Sequence, residues 1–232
     1  SEDKEPIAYW DLAWQAIKDA NLIIARVDQI DLTEEDRNAL LAQGYFARSY
    51  WYYRLVHQFG DVPLVLEEIN SPRLDFYSHS RETILEKITE DLEFAVQWLA
   101  DDVRPGEVNR AAGSFLLTKC YLALREFDLA IAEASKIIND GRYALMTERF
   151  GSTETEFLDY SFLDPSQFDV LWDLHQKNNK SIPENTETIL VVQDQHLTEG
   201  NVSDGGVAKM RDTGPVWWLS LIHISEPTRR HL

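Results

Sequence analysis

The stretch QGYFARSYWYYRLVHQFGDVPL, residues 43–64, contains the strongest structural signals in this sequence. Apolar and aromatic side chains recur along it at helical spacing, which predicts one face of a helix. Gly44 and Ala47 form a ridge of small residues that lets a neighbouring helix approach closely. Gly60 predicts the end of the helix, since glycine readily adopts the conformation found after a last helical turn. The proline at position 63 indicates that the chain leaves in extended form.

Helical signals also precede and follow this stretch. Pro6 opens a first segment in which apolar residues recur at spacings of three and four, and this segment ends near Asp28. Thr33 is placed to cap the second helix, and Ser80 and Asn109 are placed in the same way before a third and a fourth helix. The sequence therefore predicts four helices in succession up to about residue 124.

A fifth helix follows almost at once, because only Arg125 and Glu126 separate it from the fourth. So short a connection predicts a tight antiparallel hairpin, and residues 121–130 resemble the turn of a tetratricopeptide repeat. Asp140 and Gly141 end the fifth helix. We therefore predict a mainly α fold of tetratricopeptide-like helical hairpins, followed by a loop-rich region with little strand.

The chain divides into three parts by its sequence character. Residues 1–145 are predicted to form the helical-hairpin core, and residues 146–220 an irregular, incomplete, loop-rich region in which Gly, Ser, Thr, Asp and Pro are frequent. Within it, residues 188–193 have the pattern of one short buried strand. Residues 221–232 have a basic end in an otherwise acidic chain, which favours a foreign or disordered tail.

The charge of the chain excludes several kinds of partner. Its formal net charge is −18 and its pI is near 4.6. Nucleic-acid binding needs clustered Lys and Arg that displace counterions, so we expect no nucleic-acid partner. No run of about 18 apolar residues is present, so we expect no membrane-spanning helix. The charged opening, residues 1–5, has no leader pattern, and we expect the chain to be part of a longer protein.

The sequence lacks the common catalytic signatures. It contains no HExxH zinc motif, Walker loop, dinucleotide glycine motif or G-x-S-x-G elbow. Residues 201–205 faintly resemble a calcium loop, but the later acidic ligand is missing and a plain turn is favoured. Cys120 lies among Ala and Leu residues, which favours core packing over reactivity. We predict no catalytic residue, no metal and no cofactor, while paired carboxylates for glycoside hydrolysis stay open, because only their spatial separation identifies them.

Several sequence blocks follow one another in a distinctive order. They are IKDANLII at 17–24, the block at 43–64, Ser80 with Asp91 and Leu92, Asn109 and Arg110 with KCYL at 119–122, and ENTE at 184–187 with Ile189 and Gln193. Together these blocks resemble the helical core of the SusD/RagB family of outer-membrane glycan-binding lipoproteins, over about residues 7–195. Asn109 stands where the family often has glycine, which changes the helix cap but not the helix.

The resemblance implies a function. It implies a non-catalytic protein that captures oligosaccharides at the cell surface and delivers them to a SusC-like TonB-dependent transporter. Location at the outer membrane is implied as well, through an N-terminal lipid anchor that is absent from this chain. Two alternatives stay open: a tetratricopeptide-like adaptor that binds peptides, and a domain associated with a glycoside hydrolase. The first needs a clear 34-residue period, of which one hairpin is present.

Four tryptophans are the candidate glycan-binding residues. Trp10 and Trp14 lie on the apolar stripe of the first helix, near the edge where the family's ligand site begins, and core packing is the alternative for both. Trp217 and Trp218 follow a Gly-Pro turn, where they could stack on sugar rings or pack in a core. Each stacking ring is expected to contribute roughly 1–3 kcal/mol of affinity, by analogy with bases that stack on aromatic side chains.

Two positions in the 43–64 stretch carry structural predictions. Gly44 is expected to lie at a close helix contact. Arg48 lies on a core-facing position among aromatic residues, so we expect its side chain to be largely buried and paired with a carboxylate.

The last twelve residues carry a prediction of their own. We expect deletion of residues 221–232 to leave the melting temperature unchanged, because this segment matches neither the family nor the acidic character of the chain. Comparison of the thermal melts of the full and shortened chains tests this. A lower melting temperature after deletion would show that the segment packs against the rest of the protein.

Overall fold

The computed structural model describes residues 4–151, 169–176 and 179–191. By its internal contacts the chain forms two compact units, one of Trp14–Val192 and one of Ser1–Ala13 with Gln193–Leu232. Most of the second unit, including the tail at 221–232, lies outside the described residues. The fold described below is that of the first unit, together with the helix that begins before it.

Six α-helices and one two-stranded sheet make up the described part of the chain. In order they are α1 (Lys4–Arg26), α2 (Glu34–Phe59), β1 (Val62–Pro63), β2 (Ser78–His79), α3 (Arg81–Trp98), α4 (Arg110–Leu124), α5 (Phe127–Asn139) and α6 (Val170–His175), with a 3₁₀ turn at Val27–Gln29 after α1. The predicted mainly α fold is confirmed.

The predicted starts of α2, α3 and α4 are confirmed by their capping hydrogen bonds, while α1 begins at Lys4, two residues before the predicted Pro6. The side chains of Thr33, Ser80 and Asn109 accept from the backbone N–H groups of Asp36, Thr83 and Ala112, respectively. Each cap satisfies a donor that the first helical turn leaves without a partner. Local sequence alone therefore decides where α2, α3 and α4 begin.

The helix ends also follow the sequence. Gly60 ends α2 with φ of 76°, a conformation that suits glycine. Arg125 ends α4 in the left-handed region, with φ of 65°, and α5 begins two residues later. This turn closes the predicted α4–α5 hairpin.

Successive helices pack against one another, α2 on α3, α3 on α4 and α4 on α5. Their shared core consists of apolar side chains with almost no exposed surface: Tyr52, Leu55, Ile84, Ile88, Leu92 and Leu117. Cys120 is fully buried in the same core, and its burial raises the pKa of the thiol to about 12. This burial confirms the predicted packing role of Cys120. A thiol with a raised pKa stays protonated and is a weak nucleophile.

Side-chain hydrogen bonds join the segment after α5 to the cap of α4 and to itself. Asn109 donates to the backbone carbonyl of Ile189 at 3.1 Å, and the N–H of Met146 donates to Glu187 Oε2 at 3.0 Å. The prediction of a strand over residues 188–193 is wrong for the described positions 188–191, which contain a bend and no ladder. Because the side chain of Asn109 satisfies the Ile189 carbonyl, an adjacent strand is not needed there.

The sequence did not predict α6. Asp169 caps this short helix by accepting from the N–H groups of Leu171 and Trp172. Asp173 is fully buried and accepts from Arg149 Nε at 2.5 Å and from the backbone N–H of Phe150 at 3.1 Å. The hydrogen bond from Arg149 holds the pKa of Asp173 below its usual range. The ion pair thus attaches α6 to the chain around residue 150.

Candidate functional site

A groove of about 330 Å³ lies between the two chain segments that carry β1 and β2. Residues Pro63 to Glu67 form one side, and the other side carries a cluster of aromatic and charged residues, Arg73, Asp75, Phe76, Tyr77 and His79. The two sides are joined where Val62 pairs with His79 and Pro63 with Ser78 in antiparallel register. The groove therefore opens directly beside the sheet.

A polar network from the helices fixes the first side of the groove. The hydroxyl of Tyr52 lies 2.6 Å from the backbone nitrogen of Val65 and 3.1 Å from its carbonyl oxygen. Asn21 donates to the same carbonyl at 2.9 Å, and Arg48 donates to the carbonyl of Leu66 at 3.1 Å. Burial raises the pKa of Tyr52 to about 12, so its hydroxyl stays protonated and can donate. Three helix side chains thus hold an irregular strip of main chain in place.

An ion pair between α2 and α3 anchors this network. Arg48 donates from Nε and Nη2 to Asp91 Oδ2 at 2.9 and 2.6 Å, and both side chains are only 3 % exposed. Arg48 also donates to Asn21 Oδ1 at 3.0 Å. The predicted burial and pairing of Arg48 are confirmed. A buried guanidinium needs such partners, because an uncompensated charge in the interior is very costly.

The opposite side of the groove combines charge with exposed rings. Arg73 donates to Asp75 at 3.0 Å and to Glu67 at 2.9 Å, and its guanidinium lies 5.6 Å from the centroid of the Phe76 ring. The hydrogen bond from Arg73 holds the pKa of Asp75 below its usual range. Tyr77 is 73 % exposed, and its ring centroid lies 5.0 Å from that of His79. This side offers flat apolar faces next to fixed hydrogen-bonding groups.

The two predicted tryptophans of α1 do not line this groove. Trp14 is half-buried on α1, and its ring packs edge-on against Tyr52 with 6.0 Å between centroids. Trp10 is half-buried on the same helix. Neither is among the residues that line the groove. Trp217 and Trp218 lie outside the described residues, so all four tryptophans stay predictions.

Sequence reasoning missed the aromatic residues of the groove. Phe76 and Tyr77 lie in the proline-containing segment 70–78, for which no binding role was predicted. Two adjacent aromatic residues in an otherwise polar loop were the available signal, because exposed rings in a loop mark a binding surface more often than a core.

A second, smaller depression of about 140 Å³ lies between residues 103–109 and 180–191. Its lining contains no aromatic ring. Among the described residues, no group of three His, Cys, Asp or Glu side chains is arranged to hold a metal ion. The possible calcium loop at 201–205 lies outside them. No helix in the described ranges is both long and apolar enough to cross a membrane.

Comparison with known proteins identifies the family. The sequence model of the SusD-like_3 family, described as "Starch-binding associating with outer membrane", matches residues 1–122, which is more than half of the chain. The chain belongs to this SusD-like family. SusD-like protein P2 of Formosa agariphila is 33 % identical over 145 residues, which cover 61 % of this chain and 29 % of that protein.

Solved structures share the fold. A SusD-like protein from Bacteroides fragilis matches with a TM-score of 0.65 at 18 % identity, over 82 % of this chain and 34 % of its own. Surface glycan-binding protein A from Bacteroides uniformis matches with a TM-score of 0.55 at 20 % identity, over 60 % of this chain and 33 % of its own. The chain therefore spans about a third of the length of these relatives.

Proposed function

We propose that this chain is part of a non-catalytic oligosaccharide-binding protein and that the groove beside β1 and β2 contacts the sugar. The observation that carries the proposal is the arrangement of Phe76 and Tyr77 next to Arg73 and Asp75. A sugar ring presents C–H groups on its face and hydroxyls on its edge. Exposed aromatic rings can cover the face, while fixed polar groups take the hydroxyls.

The charged groups of the groove suit binding. Arg73 bridges Asp75 and Glu67, so three groups able to exchange hydrogen bonds with sugar hydroxyls lie side by side at the groove. Asp75 has a lowered pKa and so stays ionised near neutral pH. A glycoside hydrolase needs a carboxylic acid with a raised pKa as proton donor, and Asp75 is the opposite.

Family membership supports the rest of the proposal. The family is described as associating with the outer membrane, and one structural relative is a surface glycan-binding protein. We therefore place the complete protein at the outer membrane, held by an N-terminal lipid anchor, with a SusC-like TonB-dependent transporter as its partner. Purification of the tagged full-length protein from its native membrane tests this: recovery of such a transporter supports the partnership, and its consistent absence contradicts it.

Replacing Tyr77 by alanine tests the groove. We expect oligosaccharide affinity to fall by roughly 1–3 kcal/mol, about 5- to 150-fold, because one flat ring is lost. Isothermal calorimetry of the full-length protein with a panel of plant and host oligosaccharides measures the effect. Phe127→Ala is the matched control, because Phe127 is an exposed ring on α5, away from the groove.

The same titrations separate the groove from the tryptophans. Trp10→Ala, Trp14→Ala, Trp217→Ala and Trp218→Ala are measured beside Tyr77→Ala, with circular dichroism to confirm folding. Full affinity in a folded Tyr77→Ala protein would contradict the groove, and a loss confined to one tryptophan would place the sugar there. Chromatography of the recovered glycan tests the non-catalytic part, since shortened products would contradict it.

A further inference from the structure

A cluster of cations and rings lies where α2, the start of α3 and α4 meet. Lys119 on α4 places its ammonium 5.3 Å from the ring centroids of both Tyr53 and Phe115. Both contacts favour this position of the ammonium, because each ring face attracts the positive charge. Lys119 is nevertheless exposed, so the ammonium is accessible from solvent. We call Tyr53, His57, Arg81, Phe115 and Lys119 the cationic cluster.

Arg81 is the first residue of α3, and its backbone N–H donates to Asp61. The side chain of Arg81 contacts the cluster at His57. His57 Nδ1 lies 2.7 Å from the carbonyl oxygen of Tyr53, and Nε2 lies 3.0 Å from Arg81 Nη2. Arg81 can only donate, so Nε2 accepts and Nδ1 carries the proton of a neutral imidazole. Burial, together with the charges of Arg81 and Lys119, lowers the pKa of His57. A neutral histidine therefore orients the guanidinium without neutralising it.

The cluster lacks the carboxylates that accompany most other arginines of the described chain. Arg26, Arg73 and Arg142 each have a carboxylate oxygen within 4 Å. Among the described residues, no carboxylate lies that close to the side-chain nitrogens of Arg81 or Lys119. Asp61 accepts from the backbone N–H of Arg81 and not from its guanidinium. In a chain with a net charge of −18, two neighbouring cations whose side chains have no carboxylate within 4 Å form a local exception. An anion from outside the chain is the complementary group.

The cluster also lies beside the groove. His79 lines the groove and pairs with Val62 in the sheet, and Arg81 follows it by two residues. The other strand begins at Val62. The helix α2, which carries Tyr53 and His57, ends three residues before it. The same two-stranded sheet thus connects the groove to the cationic cluster.

We propose that the cationic cluster is an anion subsite that binds the carboxylate or sulfate group of an acidic glycan. The identity of the ligand as a glycan rests on the proposed function. Arg81 supplies a planar donor that suits carboxylate and sulfate oxygens, and Lys119 supplies a second charge held between two rings. The overall negative charge disfavours a densely charged polymer, so the subsite fits a glycan whose acidic groups are sparse.

The test compares charged and uncharged forms of two sugars. The full-length protein is titrated with galacturonate trisaccharide and its uncharged methyl ester, and with a sulfated galactose trisaccharide and its unsulfated form, using calorimetry and NMR shifts of α2, α3 and α4. We expect at least one acidic sugar to bind about tenfold or more tighter than its uncharged form. The double variant Lys119→Gln with Arg81→Gln should abolish that preference. The acidic sugar that binds more tightly shows whether the subsite prefers a carboxylate or a sulfate group.

The control variant is Lys18→Gln, which removes an exposed lysine of α1 that also has no carboxylate within 4 Å among the described residues. It should leave the preference unchanged. If neutral sugars bind the groove and acidic sugars bind no tighter, the subsite is overturned while the proposed function stands. If the double variant keeps the preference, the subsite is likewise overturned. Acidic binding that depends on Lys119 while Tyr77→Ala has no effect supports the subsite and contradicts the groove.

Discussion

Replacing Gly44 by leucine is expected to lower the free energy of unfolding by about 2–4 kcal/mol. A Cβ atom at position 44 would lie 3.0 Å from Ile24 Cγ1, 3.5 Å from Ile23 Cγ2 and 3.6 Å from the Ala20 carbonyl oxygen. The predicted close helix contact is therefore present, between α1 and α2. Ile24 can shift to admit one methyl group, but the rest of a leucine side chain would have to displace α1 itself.

A series of substitutions of increasing size at position 44 separates the cost of overpacking from the gain in helix propensity. Gly44→Ala adds one carbon and also gains about 0.5–1 kcal/mol from the better helical propensity of alanine. We expect it to cost far less than Gly44→Leu in urea denaturation. Gln43→Leu is the control, since Gln43 is the exposed neighbour on the same helix. Equal stability of Gly44→Leu and the wild type would contradict the close contact.

The sequence was most informative where the signal is local. Thr33, Ser80 and Asn109 cap their own helices within three residues, so the hydrogen bond and its signal lie in the same short stretch. Gly44 is nearly as favourable a case, because glycine inside a helix costs stability and is therefore expected where a second helix must come close. The mainly α fold could be predicted for these reasons.

The groove could not be predicted in this way. It depends on pairing between Val62 and His79, which lie 17 residues apart, and each strand has only two residues. Strands so short have no alternation to detect. The loop that carries Phe76 has no periodicity either, so nothing in the sequence shows that its rings line a groove with residues 63–67. Which of these segments lie next to each other is visible only in the three-dimensional structure.

Arg48 lies between these two cases. Its burial followed from its place on an apolar helix face, and so did its need for a carboxylate. The partner did not follow, because the chain has 40 acidic residues and Asp91 lies on another helix. Its further role, donation to the Leu66 carbonyl that supports the groove, depends on the path of a loop. Sequence predicted the kind of interaction, and structure supplied the partners.

Replacing Arg48 by alanine is expected to cost on the order of 3–5 kcal/mol of unfolding free energy. The change leaves a cavity and removes the main partner of the buried Asp91, while the Leu66 carbonyl loses a donor. Lys87 stays 3.3 Å from Asp91 Oδ1, so the carboxylate keeps one cation. Arg48→Met should cost less than Arg48→Ala, because methionine fills most of the volume with an apolar chain.

Urea denaturation of Arg48→Ala and Arg48→Met measures which variant loses more of the free energy of unfolding. Arg26→Ala is the control, since Arg26 forms an exposed ion pair with Glu68 and pairs of this kind contribute little to stability. Combining Arg48→Met with Asp91→Leu should recover part of the loss, because it removes the buried carboxylate as well. Oligosaccharide affinity should be lower in that double variant than in the unsubstituted protein, since the Leu66 carbonyl lacks its donor. Equal costs for Arg48→Met and Arg48→Ala would show that the charge, and not the filled volume, decides stability at this position.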